Sequence, residues 1–368
     1  MYFTEYLPRL NSISVILENN DPISNLVDIR LSSRNQVLIK FHDNEILVNL
    51  PVKIKRDDKI RIANANQTAD YLQLTIALTP HDSNDVSEKT ESFMDFSSSN
   101  LVQKWSCKDL KTKTPQTDKK NNFKLTCLQC SHAIIDSEEY DRFFDMPSEL
   151  WSEMMEFWHC HKPAEDPNEK DSHRNYNGNL KPGDNDVIIG NSYFLINKSK
   201  QLEISDQDVK CGSCKYNLGI LDNSILKIFK WNLALKYKEN IETFPSYIYV
   251  YNLIVDKINL SAIRKFNLTS ESGQDYMFIW VMNIGVDVST ENFVLNNSMK
   301  VFYYHDDIRG ISKDDESIES VVLQDDVFND FLKQLSKINY FIPNLKKTIA
   351  LKLDEEVKIF NVSFITGF

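Results

Sequence analysis

Cys127-Leu128-Gln129-Cys130 and Cys211-Gly212-Ser213-Cys214 are the stretches on which the reading of this chain turns. Each pair offers two thiols at the spacing a tight turn needs to grip one metal ion. Two such pairs complete a tetrahedral four-thiolate shell, which suits Zn²⁺. The alternative is two unrelated turns with buried cysteines, and the shared spacing favours the metal. About 80 residues separate Cys130 from Cys211, more than a compact zinc ribbon holds. The ion would therefore pin two distant segments together and stabilise what lies between them. With four thiolates the shell has no open position for a catalytic water, so this zinc is expected to be structural.

The chain around these pairs has 368 residues, enough for two or three structural units, and is 42% hydrophobic and 26% charged, ordinary for a folded soluble protein. A net charge of -11 argues against a general binder of nucleic acid or anionic membrane. The lysines from Lys108 to Lys124 read as a solvated loop rather than an RNA site. No basic-then-apolar leader opens at Met1, and the longest apolar run, Tyr276 to Met282, is far too short to span a bilayer. Six cysteines in a chain this long, four of them in C-x-x-C pairs, indicate a reducing compartment, the nucleus and cytoplasm.

Organisation follows from periodicity. Residues 1–82 read as β-structure: Val27/Ile29/Leu31, Val37/Ile39/Phe41 and Leu72/Leu74/Ile76/Leu78 alternate with more polar neighbours. This predicts an antiparallel sandwich or a sheet with one solvated face. Residues 83–104 are a polar linker and 105–219 the cysteine-bearing region. Residues 220–368 are again β-rich, with strands expected at Ile225–Trp231, Tyr247–Tyr251, Tyr276–Val281 and Met299–Tyr304. An amphipathic helix is expected over 325–340, with Asp325 as its cap and Val327, Phe328, Phe331, Leu332, Leu335 and Ile338 on one face. The fold class is α+β: mainly antiparallel sheet, a few packing helices, and a structural four-cysteine zinc site.

Between the pairs, Pro147 and Glu149 mark the start of a helix over 148–158. Trp151, Met154, Met155 and Trp158 fall at i, i+3, i+4 and i+7 and form one apolar stripe, either core or a partner-binding surface. Cys160, between His159 and His161, is the candidate catalytic nucleophile, with His161 beside it. A thiolate accepts an acyl group as a thioester when a cation or helix end lowers its pKa. A helix C-terminus acts the other way, and sequence neighbours do not face each other on a helix. Cys160 therefore also reads as a buried thiol beside a structural histidine, or, with His161 and His173, as part of a second metal site. The sequence holds no Gly-x-Ser-x-Gly elbow, His-Glu-x-x-His helix, Walker motif or dinucleotide fingerprint.

Several segments resemble the HECT-like family of ubiquitin-conjugating-enzyme (E2)-binding proteins. They are Cys127-Leu-Gln-Cys130, Pro147 through Trp158-His-Cys-His161 to Pro163, Leu180-Lys-Pro-Gly-Asp184, Ile189-Gly-Asn-Ser-Tyr-Phe-Leu195 and Cys211-Gly-Ser-Cys214. Leu226–Trp231 and Phe278–Asn283 resemble the later strands of that family. The resemblance implies an E2 partner and E3 ubiquitin-protein transferase activity, through a Cys160 thioester or by scaffolding alone. It matches Cys127, Cys130, Cys211 and Cys214 to the zinc-type cysteines of the family, and Cys160-His161 to its Cys-His motif. The likeness is greatest to a fungal branch. That implies a role in pre-mRNA 3′-end cleavage and polyadenylation through the cleavage endonuclease subunit, by protein rather than RNA contact. The other reading is a non-catalytic, zinc-stabilised scaffold or chaperone for a subunit of that machinery.

Overall fold

The computed structural model describes residues 1–18, 26–54, 59–67, 71–79, 102–114, 122–146, 181–305, 317–353 and 356–367. The chain is α+β, mostly antiparallel sheet with few helices. It forms two units, one from residues 101–256 and the other from 1–100 with 257–368.

The 101–256 unit contains two sheets. Seven strands run in the order Arg142–Asp145, Asp186–Ile189, Tyr193–Ile196, Ile225–Phe229, Asn217–Asp222, Asp208–Cys211 and Leu202–Ser205. Four more run Asn240–Thr243, Leu233–Tyr237, Lys124–Cys127 and Ala133–Asp136. The core holds Trp105, Leu125, Phe194, Ile228 and Leu233, all fully buried. The helix Cys107–Lys113 is capped by Ser106, whose hydroxyl accepts from the Asp109 N–H.

One expectation fails here. Tyr247–Tyr251, expected as a strand, lies in the helix Ser246–Ser261. Its aromatic and β-branched residues favour a strand locally, but the preference is worth only about 0.5 kcal/mol per residue. Ile248, Tyr251, Val255 and Ile258 recur at helical spacing and are all buried, so tertiary packing decides.

In the other unit a ten-stranded sheet joins both ends of the chain. Tyr2–Leu7 pairs with Ser12–Glu18 on one side and with the far half of Tyr276–Thr290 on the other. The near half of that fifteen-residue strand pairs with Lys265–Ser270 along the same edge. Over the N-terminal strands lies a three-stranded sheet, Leu26–Ser33, Gln36–Phe41 and Glu45–Asn49. Val37, Ile39 and Phe41 pack there against Ile13, Val15, Leu72, Leu74 and Ile76. The first alternating run differs from expectation: Val27 and Leu31 are exposed and only Ile29 packs inward. Register shifts at both ends of that edge strand, between Leu26 and Asp28 and between Leu31 and Ser33, break its alternation beside Val27 and Leu31.

The helix Asp325–Tyr340 buries Val327, Phe328, Phe331, Leu335 and Ile338. It is tied to the strand Glu356–Ile365 by Ser363 Oγ donating to Leu335 O (2.8 Å) and Asn339 Nδ2 donating to Val362 O (2.8 Å). Asp325 is the first helical residue rather than the cap, and its carboxylate accepts from the Ser272 N–H at 3.0 Å. Among the described residues no helix is long and apolar enough to cross a membrane.

Phe331 is fully buried, so Phe331→Ala should cost about 3–5 kcal/mol in urea unfolding. Lys333→Ala on the exposed face of the same helix should stay within about 0.5 kcal/mol.

Candidate functional site

Cys127, Cys130, Cys211 and Cys214 come together, all four Sγ atoms lying within 4.8 Å of one another. Cys127 Sγ is 3.7 Å from Cys214 Sγ, and Cys130 Sγ is 3.7 Å from Cys211 Sγ. The first pair sits where Lys124–Cys127 turns into Ala133–Asp136, the second where Asp208–Cys211 turns into Asn217–Asp222. The cluster thus joins the four-stranded sheet to the seven-stranded one.

Both turns are built alike. The residue after each C-x-x-C adopts the left-handed region, Ser131 at φ 60° and Lys215 at φ 64°. Its N–H donates back to the first cysteine: Ser131 to Cys127 O and Lys215 to Cys211 O, each 2.9 Å. The first cysteine's own N–H donates across the turn, Cys127 to His132 O at 2.8 Å and Cys211 to Tyr216 O at 2.9 Å. Each loop is thus closed by two main-chain hydrogen bonds around its pair of cysteines, and the four thiols brought together could hold a metal ion.

The loops are also fastened from outside. Leu128 N–H donates to Asn232 O (3.0 Å) and Gly212 N–H to Gln201 O (2.9 Å). Asn232 reaches the other loop as well, since its Oδ1 accepts from Tyr216 OH at 3.2 Å. His132 Nε2 meets Gln201 Oε1 at 3.2 Å. The sulfur environments differ. Burial pushes the Cys127 thiol up to about 12, whereas the His132 N–H on the Cys130 sulfur lowers that thiol to about 7.

The fifth described cysteine, Cys107, does not suit nucleophilic work. Burial and the Asp145 carboxylate push its thiol up to about 11. The remaining predicted site residues, Cys160 and His161 with Trp151, Met154, Met155 and Trp158, lie outside the described residues.

Sequence reasoning missed Lys230 and Asn232. Lys230 is 1% exposed, its Nζ donating to Lys104 O (2.7 Å) and Asn191 O (3.2 Å) beside the rings of Phe194 and Phe244. In the sequence it is one lysine in an alternating run, with nothing to mark it as buried. Asn232, just after that run, carries no local signal either.

The model of the HECT-like ubiquitin-conjugating enzyme (E2)-binding family matches residues 5–353, and the chain belongs to that family. An uncharacterized protein of Saccharomyces cerevisiae is 26% identical over 360 residues, 95% of this chain and 96% of the relative. An E3 ubiquitin-protein ligase of Mus musculus is 28% identical over 166 residues, and its namesake of Homo sapiens 25% over 187. These alignments cover 43% of this chain and 42% and 46% of the two ligases, so less than half of either relative is matched. No solved structure matches the chain.

A Cβ at Gly212 would stand 2.9 Å from Gln201 O, against backbone rather than a side chain that can yield. Gly212→Ala should therefore destabilise the 101–256 unit by about 1–3 kcal/mol, read in thermal or urea melts. Ser213→Ala, one exposed residue further on, should change stability by under about 0.5 kcal/mol.

Proposed function

We propose that this chain is an E2-binding E3 ubiquitin ligase that works as a scaffold and is held in shape by one structural Zn²⁺. The observation that carries the ligase reading is the family match over residues 5–353, with relatives named as E3 ubiquitin-protein ligases. Zinc is supported by the sulfur geometry. Zn–S bonds of about 2.3 Å at tetrahedral angles set neighbouring sulfurs roughly 3.8 Å apart. The Cys127–Cys214 and Cys130–Cys211 Sγ pairs, at 3.7 Å, fit that spacing. Cys127, Cys130, Cys211 and Cys214 would hold the ion, which cross-links two hairpins and offers no open position for substrate.

In the scaffold mechanism the E2 arrives with ubiquitin already on its own cysteine as a thioester. The substrate lysine amine attacks that carbonyl and the E2 thiolate leaves. The ligase contributes position, raising the effective concentration of amine beside thioester. A covalent route would need a low-pKa thiol of this chain. The cluster cysteines would be committed to metal, and Cys107 is pushed to about 11, so that route rests on Cys160 with His161 alone. The role in pre-mRNA 3′-end processing, through the cleavage endonuclease subunit in nucleus and cytoplasm, is supported by the fungal-branch resemblance. The net charge of -11 directs it to protein partners rather than RNA.

Wild type and Cys160→Ala should each carry one zinc per chain and melt alike, and both should support E2-dependent ubiquitin transfer. Cys130→Ser should lose the metal, lower the melting temperature and lose transfer. Transfer lost in Cys160→Ala with zinc and stability intact would replace the scaffold by the thioester mechanism. Transfer absent from metal-loaded wild type across a panel of E2 enzymes would end the ligase reading in favour of the non-catalytic scaffold.

A further inference from the structure

The unit formed by residues 1–100 with 257–368 contains a cavity of about 220 Å³. Three strands of the ten-stranded sheet supply its floor: Tyr2–Leu7 gives Phe3 and Glu5, Val294–His305 gives Lys300 and Phe302, and Glu356–Ile365 gives Val362 and Phe364. Each pair is two residues apart on its strand, and Lys300 lies opposite Phe364 and Phe302 opposite Val362, so the side chains share one face. The wall is the connection after the helix Asp325–Tyr340, through Ile342, Leu345 and Lys346. The three phenylalanines, Val362 and Ile342 are buried, and the Phe3 and Phe364 rings lie 5.5 Å apart.

A charged pair sits among these rings. Glu5 is 8% exposed, and Lys300 Nζ donates to its Oε1 (2.8 Å) and Oε2 (3.0 Å) while lying 5.6 Å from the Phe364 ring centre. Among the described residues these are the only hydrogen bonds to that carboxylate, which leaves acceptor capacity on both oxygens. The ammonium keeps a third N–H. The cavity therefore offers an acceptor and a donor side by side, with no net charge between them. Lys346 and Leu345 are exposed where the cavity meets solvent, and the Lys346 ammonium has no ion pair among the described residues.

We propose that this cavity docks a tyrosine side chain of a partner protein, with an acidic residue next to that tyrosine. A mainly apolar cavity with a few convergent polar groups is the form of a ligand site, and this one has room for about one aromatic side chain. A buried aromatic is also the usual anchor of a protein interface. The polar groups choose among the aromatics. A cation is repelled by Lys300 and Lys346, and an anion meets the Glu5 carboxylate. Phenylalanine leaves both polar groups unanswered, and an indole N–H can only donate. A phenol hydroxyl donates to Glu5 and accepts from Lys300 at once. Lys346 then attracts an acidic neighbour of the anchor, against the overall charge of -11. This inference is independent of the ligase reading.

The test uses the full-length protein carrying ¹³C-methyl isoleucine, with the N-acetyl amides of tyrosine, phenylalanine and tryptophan as probes. The Ile342 and Ile349 methyl signals, which report on the cavity lining, are assigned by their loss in Ile342→Val and Ile349→Val. The tyrosine amide should move both signals saturably, with a Kd of roughly 1 mM for so small a probe. The phenylalanine amide should bind about fivefold more weakly, the worth of one net hydrogen bond. No saturable shift with the tyrosine amide, equal binding of the phenylalanine amide, or tighter binding of the tryptophan amide would overturn the proposal. The acidic neighbour is tested with N-acetyl Asp-Tyr-Asp and Lys-Tyr-Lys amides at low salt. The acidic peptide should bind about two- to fivefold tighter, and the order should reverse in Lys346→Glu, a change at an exposed side chain. A preference absent from wild type, or unchanged in that variant, would overturn the acidic flank.

Discussion

Four sulfur atoms set the geometry on which the 101–256 unit depends. Hairpin tips from two different sheets meet at Cys127, Cys130, Cys211 and Cys214. Thiols packed this close are held far from the arrangement that separate solvated cysteines would adopt. The two backbone rings, each closed by a left-handed residue and a pair of main-chain hydrogen bonds, hold them there. Bound metal would convert that arrangement into a strong link between residues far apart in sequence. Such a link acts most strongly on the unfolded chain, where closing a long loop is costly in entropy.

Around the cluster backbone carbonyls receive several of the polar groups. Asn232 fastens both hairpin tips, one through its carbonyl and one through its side chain. Lys230, two residues earlier, carries its ammonium group among carbonyls and aromatic rings, which compensate a charge that would otherwise be expelled. The short turn Lys230–Asn232 between two strands thus holds the segments that surround it. In the other unit the same logic joins distant parts of the chain: Lys300 donates to both oxygens of Glu5 at 2.8 and 3.0 Å, and Thr4 meets Ser289 at 2.6 Å. Loss of one partner there would strand a group with little access to water.

Legibility followed the range of the physics. The strands at 36–41 and 71–79 and the helix at 325–340 announce themselves because one face of each is buried throughout, which imposes period 2 or 3.6 on the residues. The run Tyr247–Tyr251 misled because its local preference is weak and its burial comes from distant residues. Val27 and Leu31 misled because alternation cannot reveal a register shift at a sheet edge.

The sequence by itself determined the α+β class, several of the strands, and the four cysteines that belong together, because thiol pairs at fixed spacing and periodic apolar residues are properties of short windows. Only the tertiary structure decided that both chain ends share one sheet, that Asn232 braces both cysteine hairpins, and that Lys230 is buried among carbonyls and aromatic rings. Those features depend on pairings between residues far apart along the chain, and no local pattern encodes which distant partner a strand, a carbonyl or a charge will meet.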